Sequence, residues 1–220
     1  MRCGASLPVL RGLRCNMIRL LVIRHGYTVT NAEGRYTGQL DAPLTAEGEV
    51  QAERLGTYLA EHEAIDRIYA SDLSRAIRTA APTAARFGLD IIPMPELREI
   101  DVGEFTGMTF ESIRVNPAYQ ALKQDAVTPF PGGESFVDLY LRTEKALERI
   151  LAENTDGTVM LVTHAGNVRC FSCMAAGDSY LASRDHPAIA NTALDIYQVE
   201  NGQLTQIAHE VKEHLEVPTP

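Results

Sequence analysis

The chain lacks an excess of basic residues, enough cysteine to frame a fold, and any apolar run long enough to cross a bilayer. Its 20 Lys and Arg stand against 29 Asp and Glu, a net charge of −9. That balance argues against a nucleic-acid partner or an anionic-membrane surface. Four cysteines, Cys3, Cys15, Cys170 and Cys173, are too few and too unevenly placed for a disulfide scaffold. They suit a reducing compartment, so a cytoplasmic location is expected. No segment has the length of a membrane span. There is no internal repeat and no Pro-, Gly- or Ser-rich linker to divide the 220 residues, which is chain enough for one sizeable core without staples. Hydrophobic residues at 45% and charged residues at 22% are ordinary for a globular protein and exclude disordered, collagen-like and low-complexity classes.

No acidic residue precedes Glu33, whereas Arg2, Arg11, Arg14, Arg19 and Arg24 all fall before it. A secretory signal does not fit, because the stretch Leu7 to Leu10 is short and contains Pro8. An Arg-rich, acid-poor start is also compatible with an organellar presequence. The simpler expectation is that residues 1–16 are an unstructured or mis-called extension and that Met17 is the true start, since a strand follows it at once.

Ile18 to Ile23 is a nearly continuous apolar run, as in a strand buried on both faces. Thr45 can cap a helix through Val50, Ala52, Leu55 and Leu59. Strands are expected at Asp66 to Ala70, Leu89 to Met94 and Thr158 to Thr163. Helices are expected from a Ser71 or Asp72 cap to about Phe87, from Glu134 to Glu153 and from Asn167 to Ala176, with a short one near Phe110 to Val115. Ala193 to Val199 and Gln203 to Ala208 read as a hairpin around Asn201-Gly202. Strands alternating with helices predict an α/β sheet that is mostly parallel with an antiparallel edge.

Two strands end alike, in Arg24-His25-Gly26 and in Thr163-His164-Ala165-Gly166. Ligands of open α/β sheets bind beyond the carboxyl ends of the strands, often at helix N-termini, so both histidines should enter one crevice. Arg75 falls in the first turn of a helix, where a cation is disfavoured unless an anion lies near. Arg78 competes for that role but reads better as a solvated helix residue. Two arginines and two histidines around helix N-termini make a pocket for a dianion, most plausibly phosphate. The sequence holds no Gly-x-x-x-x-Gly-Lys-[Ser/Thr] loop, no Cys-x5-Arg arrangement and no Gly-x-Ser-x-Gly elbow. A neutral histidine can serve as nucleophile, and a carboxyl group can protonate the leaving alcohol. Glu99 is the best-placed carboxyl, with Asp101 its competitor, and spacing does not choose between them. Cys170-x2-Cys173 reads as a pair of buried core residues in a helix, and His209 and His214 read as solvated.

Arg24-His25-Gly26-Tyr27-Thr28 with Asn31 resembles the opening motif of the histidine phosphatase, or phosphoglycerate-mutase-like, superfamily. The resemblance runs on through Gly38, Asp41 to Thr45, Gly48, Ser71 to Ala76, Leu97-Arg98-Glu99, Gly132 to Ser135 and Thr163 to Gly166. It spans about residues 18 to 199, in the family's order. It implies a three-layer α/β/α sandwich with a mostly parallel central sheet, one domain over residues 17–220, and a small cap at about 100–133. His25 would be the nucleophile that becomes phosphohistidine. Arg24, Arg75 and His164 would bind the phosphoryl oxygens, with Asn31 and Gly38 at the same substrate pocket. Glu99 would be the proton donor, which selects Glu99 over Asp101 and Arg75 over Arg78.

The resemblance implies no metal and no cofactor. The expected partner is a small-molecule phosphomonoester, with no nucleic acid or membrane, and a homodimer is compatible. Tyr27, Thr30 and Thr37 stand where the family often has Glu, Trp and Gln, on a loop expected to meet substrate. The stretch between Glu99 and His164 is shorter than the mutases' cap. Its only cations are Arg114, Lys123, Arg142, Lys145 and Arg149, and the last three belong to a helix and read as solvent-facing. A metal-independent phosphatase acting on small metabolites, such as α-ribazole phosphate or a sugar phosphate, is therefore favoured. A cofactor-dependent phosphoglycerate mutase and a non-catalytic phospholigand binder are the alternatives.

Overall fold

A computed structural model describes residues 17–122 and 125–216, so the expectation for residues 1–16 lies outside the described residues. In chain order the elements are β1 (Ile18–Arg24), α1 (Val29–Ala32), α2 (Ala46–His62), β2 (Arg67–Ala70), α3 (Ser74–Phe87), β3 (Ile91–Pro93), α4 (Phe110–Arg114), α5 (Pro117–Leu122), α6 (Phe136–Glu153), β4 (Gly157–Thr163), α7 (Ala165–Ala176), β5 (Leu194–Glu200) and β6 (Gln203–Val211). The six strands form one sheet in the order β3-β2-β4-β1-β5-β6. The first four run parallel, and β5 and β6 close it as an antiparallel edge.

Alternation along the central strands builds three layers. Leu20 and Val22 of β1 face a core shared with Leu147 and Ile150 of α6 and Val168 and Phe171 of α7. Leu21 and Ile23 face the opposite core, shared with Leu55 and Leu59 of α2 and Ala76 and Ala80 of α3. The near-continuous apolar run in β1 is the signature of a strand covered on both sides. Because the chain leaves β1 toward one layer and β4 toward the other, these two neighbours form a topological switch point, with a crevice beyond their carboxyl ends.

Helix boundaries follow local chemistry. Thr45 caps α2 by accepting from the Gly48 N–H, and Ser135 with Asp138 makes a reciprocal capping box on α6. The cap expected for α3 is corrected. Leu73 occupies that position with no side-chain hydrogen bond, and the orphan Ser74 N–H is satisfied from a distance by Asp41 Oδ1 at 2.9 Å. Asp72 is instead committed to Arg98 at 2.6 and 2.7 Å. β3 is shorter than expected, and α7 starts at Ala165 with His164 as its cap residue.

His214 is also corrected: it is buried, its Nε2 is 3.1 Å from Thr192 Oγ1, and its ring lies against Tyr58. Burial pulls its pKa down to about 4. His209 remains exposed but pairs with the buried Asp195. Cys170 and Cys173 are buried free thiols. Among the described residues no helix is long and apolar enough to cross a membrane.

Candidate active site

The register of two strands sets the site. Arg24 of β1 lies opposite Thr163 of β4, so the next residues, His25 and His164, leave neighbouring strands at the same level. Their ring centroids are 5.0 Å apart. His25 Nδ1 donates to the Gly26 carbonyl at 2.8 Å. Since a carbonyl only accepts, the proton sits on Nδ1 and Nε2 keeps its lone pair. Burial above all, then the Arg75 and Arg24 charges, holds the His25 pKa well below the ordinary histidine value. His164 is depressed in the same way, by burial first and then by Arg75 and His25. Both rings are thus neutral at physiological pH.

The loop after β1 folds tightly around His25. Gly26 N–H donates to Thr79 Oγ1 at 2.9 Å, and the His25 carbonyl accepts from Asn191 Nδ2 at 2.8 Å. A Cβ on Gly26 would press on the Gly48 carbonyl, so the close approach of this loop to α2 requires glycine there.

Arg75 is buried with its guanidinium donating only to the carbonyls of Leu40 at 2.7 Å and Gly38 at 2.8 Å. Gly38 adopts a φ of 51° that presents this carbonyl. Arg24 donates to the Ile189 carbonyl at 2.8 Å. The Nε atoms of both arginines and both ring nitrogens of His164 are buried without a hydrogen-bond partner among the described residues. Desolvation lowers the pKa of Arg24 and brings that of Arg75 down to about 10, while the Glu99 charge opposes both shifts. Buried donors left unsatisfied are costly, and several converging on one place describe an anion site.

Glu99 faces the same place. Its carboxylate accepts from the Ile100 N–H at 2.9 Å and from the Gly166 N–H at the start of α7 at 3.2 Å. A Cβ on Gly166 would collide with that carboxylate, which explains the glycine two residues after the second histidine. The irregular segment carrying Glu99, which follows a 3-10 turn at Pro95–Leu97, is tied down along its length. Thr163 Oγ1 donates to the Leu97 carbonyl at 2.8 Å, and Arg98 pairs with Asp72. Arg142 of α6 spans Glu134 and the carbonyls of Glu96, Arg98 and Glu99.

These groups border a cavity of about 540 Å³. Arg24, His25, Asn31, Gly38, Arg75 and Glu99 line it, and the buried His164 ring packs 5.0 Å from that of His25. Asp101 does not line it and is spent on the Gly103 N–H. Arg78 is exposed and pairs with Glu49 at 3.0 Å. Of the three departures on the first loop, Thr37 borders the cavity, whereas Thr30 is buried behind it and 2.6 Å from Thr37 Oγ1. Tyr27 does not border it. Among the described residues no group of three or more His, Cys, Asp or Glu is gathered as a metal ion would need.

The histidine phosphatase superfamily (branch 1) profile matches residues 20–211. The chain belongs to this superfamily. Phosphoglycerate mutase-like protein 4 of Arabidopsis thaliana is 34% identical over 188 residues, which are 83% of this chain and 80% of the relative. Phosphoserine phosphatase 1 of Hydrogenobacter thermophilus is 32% identical over 164 residues, 73% of this chain and 77% of its own. The solved structure of alpha-ribazole phosphatase from Shigella flexneri is similar with a TM-score of 0.80 and 25% identity, covering 88% of this chain and 96% of that one. The histidine phosphatase fold of this chain is therefore that of enzymes named both as phosphatases and as mutases.

The sequence reading missed Arg142, taken as solvent-facing. It is mostly buried, with a side chain 19% exposed against Glu134 at 2.7 Å. It also missed Arg169, which borders the cavity one helical turn after Ala165, another lining residue. The i, i+4 spacing of those two on α7 is the signal that could have found Arg169. Arg142→Gln is expected to cost about 3 kcal/mol of stability, because it leaves Glu134 unpaired in a largely enclosed network. Turnover should fall further than unfolding explains, as the Glu99 segment loses its anchor. Denaturant unfolding beside kinetics checks this, and wild-type values in both would contradict the anchoring role.

Proposed function

We propose that the chain is a phosphomonoesterase that hydrolyses small phosphorylated metabolites through a phosphohistidine on His25. The observation that carries this reading is a neutral His25, its Nε2 lone pair free, beside two guanidinium groups that have no carboxylate partner among the described residues. Arg24, Arg75 and His164 bind the phosphoryl oxygens in this account, with Asn31 and Gly38 shaping the pocket. Gly38 acts through its carbonyl, which aims Arg75. Phosphoryl transfer is mostly positioning and charge stabilisation, which cations held rigidly by main-chain carbonyls supply.

In the first step His25 Nε2 attacks phosphorus, the ester P–O bond breaks, and the Glu99 carboxyl gives its proton to the leaving alcohol. In the second, Glu99 takes a proton from water, the water oxygen attacks phosphorus, the P–N bond breaks, and inorganic phosphate leaves. No metal ion or cofactor takes part. Residues 17–220 act as one unit in this reading, with the 100–133 segment as a cap over the cavity.

Hydrolysis is favoured over mutase chemistry by what the cap contributes. Its described lining residues are Ile100, Val102, Phe110, Tyr119, Leu122 and Phe130, with no lysine or arginine among them. A non-catalytic binder would have no use for an acid beside a free imidazole. α-Ribazole phosphate and sugar phosphates belong in the first substrate panel.

Phosphate release from p-nitrophenyl phosphate in EDTA should proceed in the wild type and fall at least about a thousandfold in His25→Ala. Retained activity in that variant would remove His25 as nucleophile. Glu99→Gln should lose about a hundredfold or more on an alkyl phosphate and clearly less on the aryl ester, whose leaving group needs less protonation. Equal losses on both would argue against Glu99 as the acid.

A further inference from the structure

We propose that Arg169 forms a second anion subsite in the cavity, taking the carboxylate of a phosphomonoester whose alcohol is a small organic acid. The inference rests on the phosphomonoesterase reading and narrows its substrate class. It begins from the way this acidic chain pairs its arginines. Exposed Arg78, mostly buried Arg142 and even cavity-lining Arg184, at 3.7 Å from Asp185, all have carboxylates within ion-pair distance. Arg24, Arg75 and Arg169 have none among the described residues. Each donates to main-chain carbonyls alone, and all three border the same cavity.

Arg24 and Arg75 flank His25 and suffice to hold a phosphoryl group there. Arg169 is a third such cation with no assigned role. Its Nη1 donates to the carbonyls of Arg184 and, at 2.9 Å, of His186. Those bonds fix the guanidinium plane, while Nε and Nη2 have no protein partner among the described residues. An immobilised fork with one free edge matches a carboxylate, which it can bind through two parallel N–H···O bonds. It is a single charge without a second unpaired cation of its own, so it suits a monoanion better than a second phosphate.

The two anion subsites open into the same cavity of about 540 Å³, a space that suits a short carbon skeleton between the two anions. The wall that would cover that skeleton is apolar, from Phe110 and Phe130, with Tyr36 and Tyr119 joined through their hydroxyls at 2.8 Å.

The test compares phospholactate with its isosteric carboxamide and with propane-1,2-diol bisphosphate, using p-nitrophenyl phosphate as reference. In the wild type, kcat/KM for phospholactate should exceed that for the amide at least about tenfold, chiefly through KM, as one charge-assisted contact provides. In Arg169→Met that ratio should collapse toward one, and Arg169→Lys, which keeps the charge but not the fork, should retain part of it. A wild-type ratio near one, or an undiminished ratio in Arg169→Met, would overturn the subsite. A bisphosphate preferred over phospholactate would overturn the carboxylate assignment. Wild-type turnover of p-nitrophenyl phosphate alongside either result leaves the phosphatase reading standing, whereas no turnover of any ester would overturn both.

Discussion

Taking a guanidinium group out of water costs several kcal/mol unless its charge is met, and Arg75 is buried with only two main-chain carbonyls as hydrogen-bond partners among the described residues. Much of the molecule can be read from how that cost is carried. The carbonyls of Gly38 and Leu40 are turned inward to receive it, which fixes the loop after α1 and needs a positive φ at Gly38. Glu99 supplies the nearby negative charge, and it stays in place because a strand-end threonine, a bidentate Arg98–Asp72 pair and Arg142 hold its segment. Nε of Arg24 and of Arg75 and both ring nitrogens of His164 are left without a hydrogen-bond partner among the described residues. In the proposed function a bound phosphoryl group supplies that partner.

The same arrangement prepares the proposed nucleophile. Two positive neighbours and a dry environment keep the His25 imidazole neutral, and the Gly26 carbonyl fixes which nitrogen carries the proton. A bound dianion would ease protonation by offsetting those cations. Nucleophile and electrostatic clamp therefore come from one set of contacts, set up by the β1–β4 register.

Much of this was legible in the sequence because it is carried by local pattern. The apolar runs before His25 and His164 announce buried parallel strands, and strand ends are where such sheets bind ligands. The glycine that follows each histidine, Gly26 at once and Gly166 after Ala165, is needed in the structure for close approach, to Gly48 in one case and to Glu99 in the other. What escaped was non-local. Arg142 looks like any polar helix residue until the fold brings three carbonyls and Glu134 to it. Ser74 is capped by Asp41 from another loop, and His214 near the chain's end is buried only because it docks beside Tyr58 and Thr192. The choice of Glu99 over Asp101 needed either the family resemblance or the three-dimensional placement.

The most direct test of the account is to trap the covalent enzyme. The protein is mixed with a phosphomonoester, quenched in alkali within a turnover, and digested for peptide mapping, since phosphohistidine survives base. The account predicts phosphate on His25 alone, appearing before free phosphate and decaying as water attacks. Turnover with no modified histidine, or phosphate found on His164 instead, would contradict it.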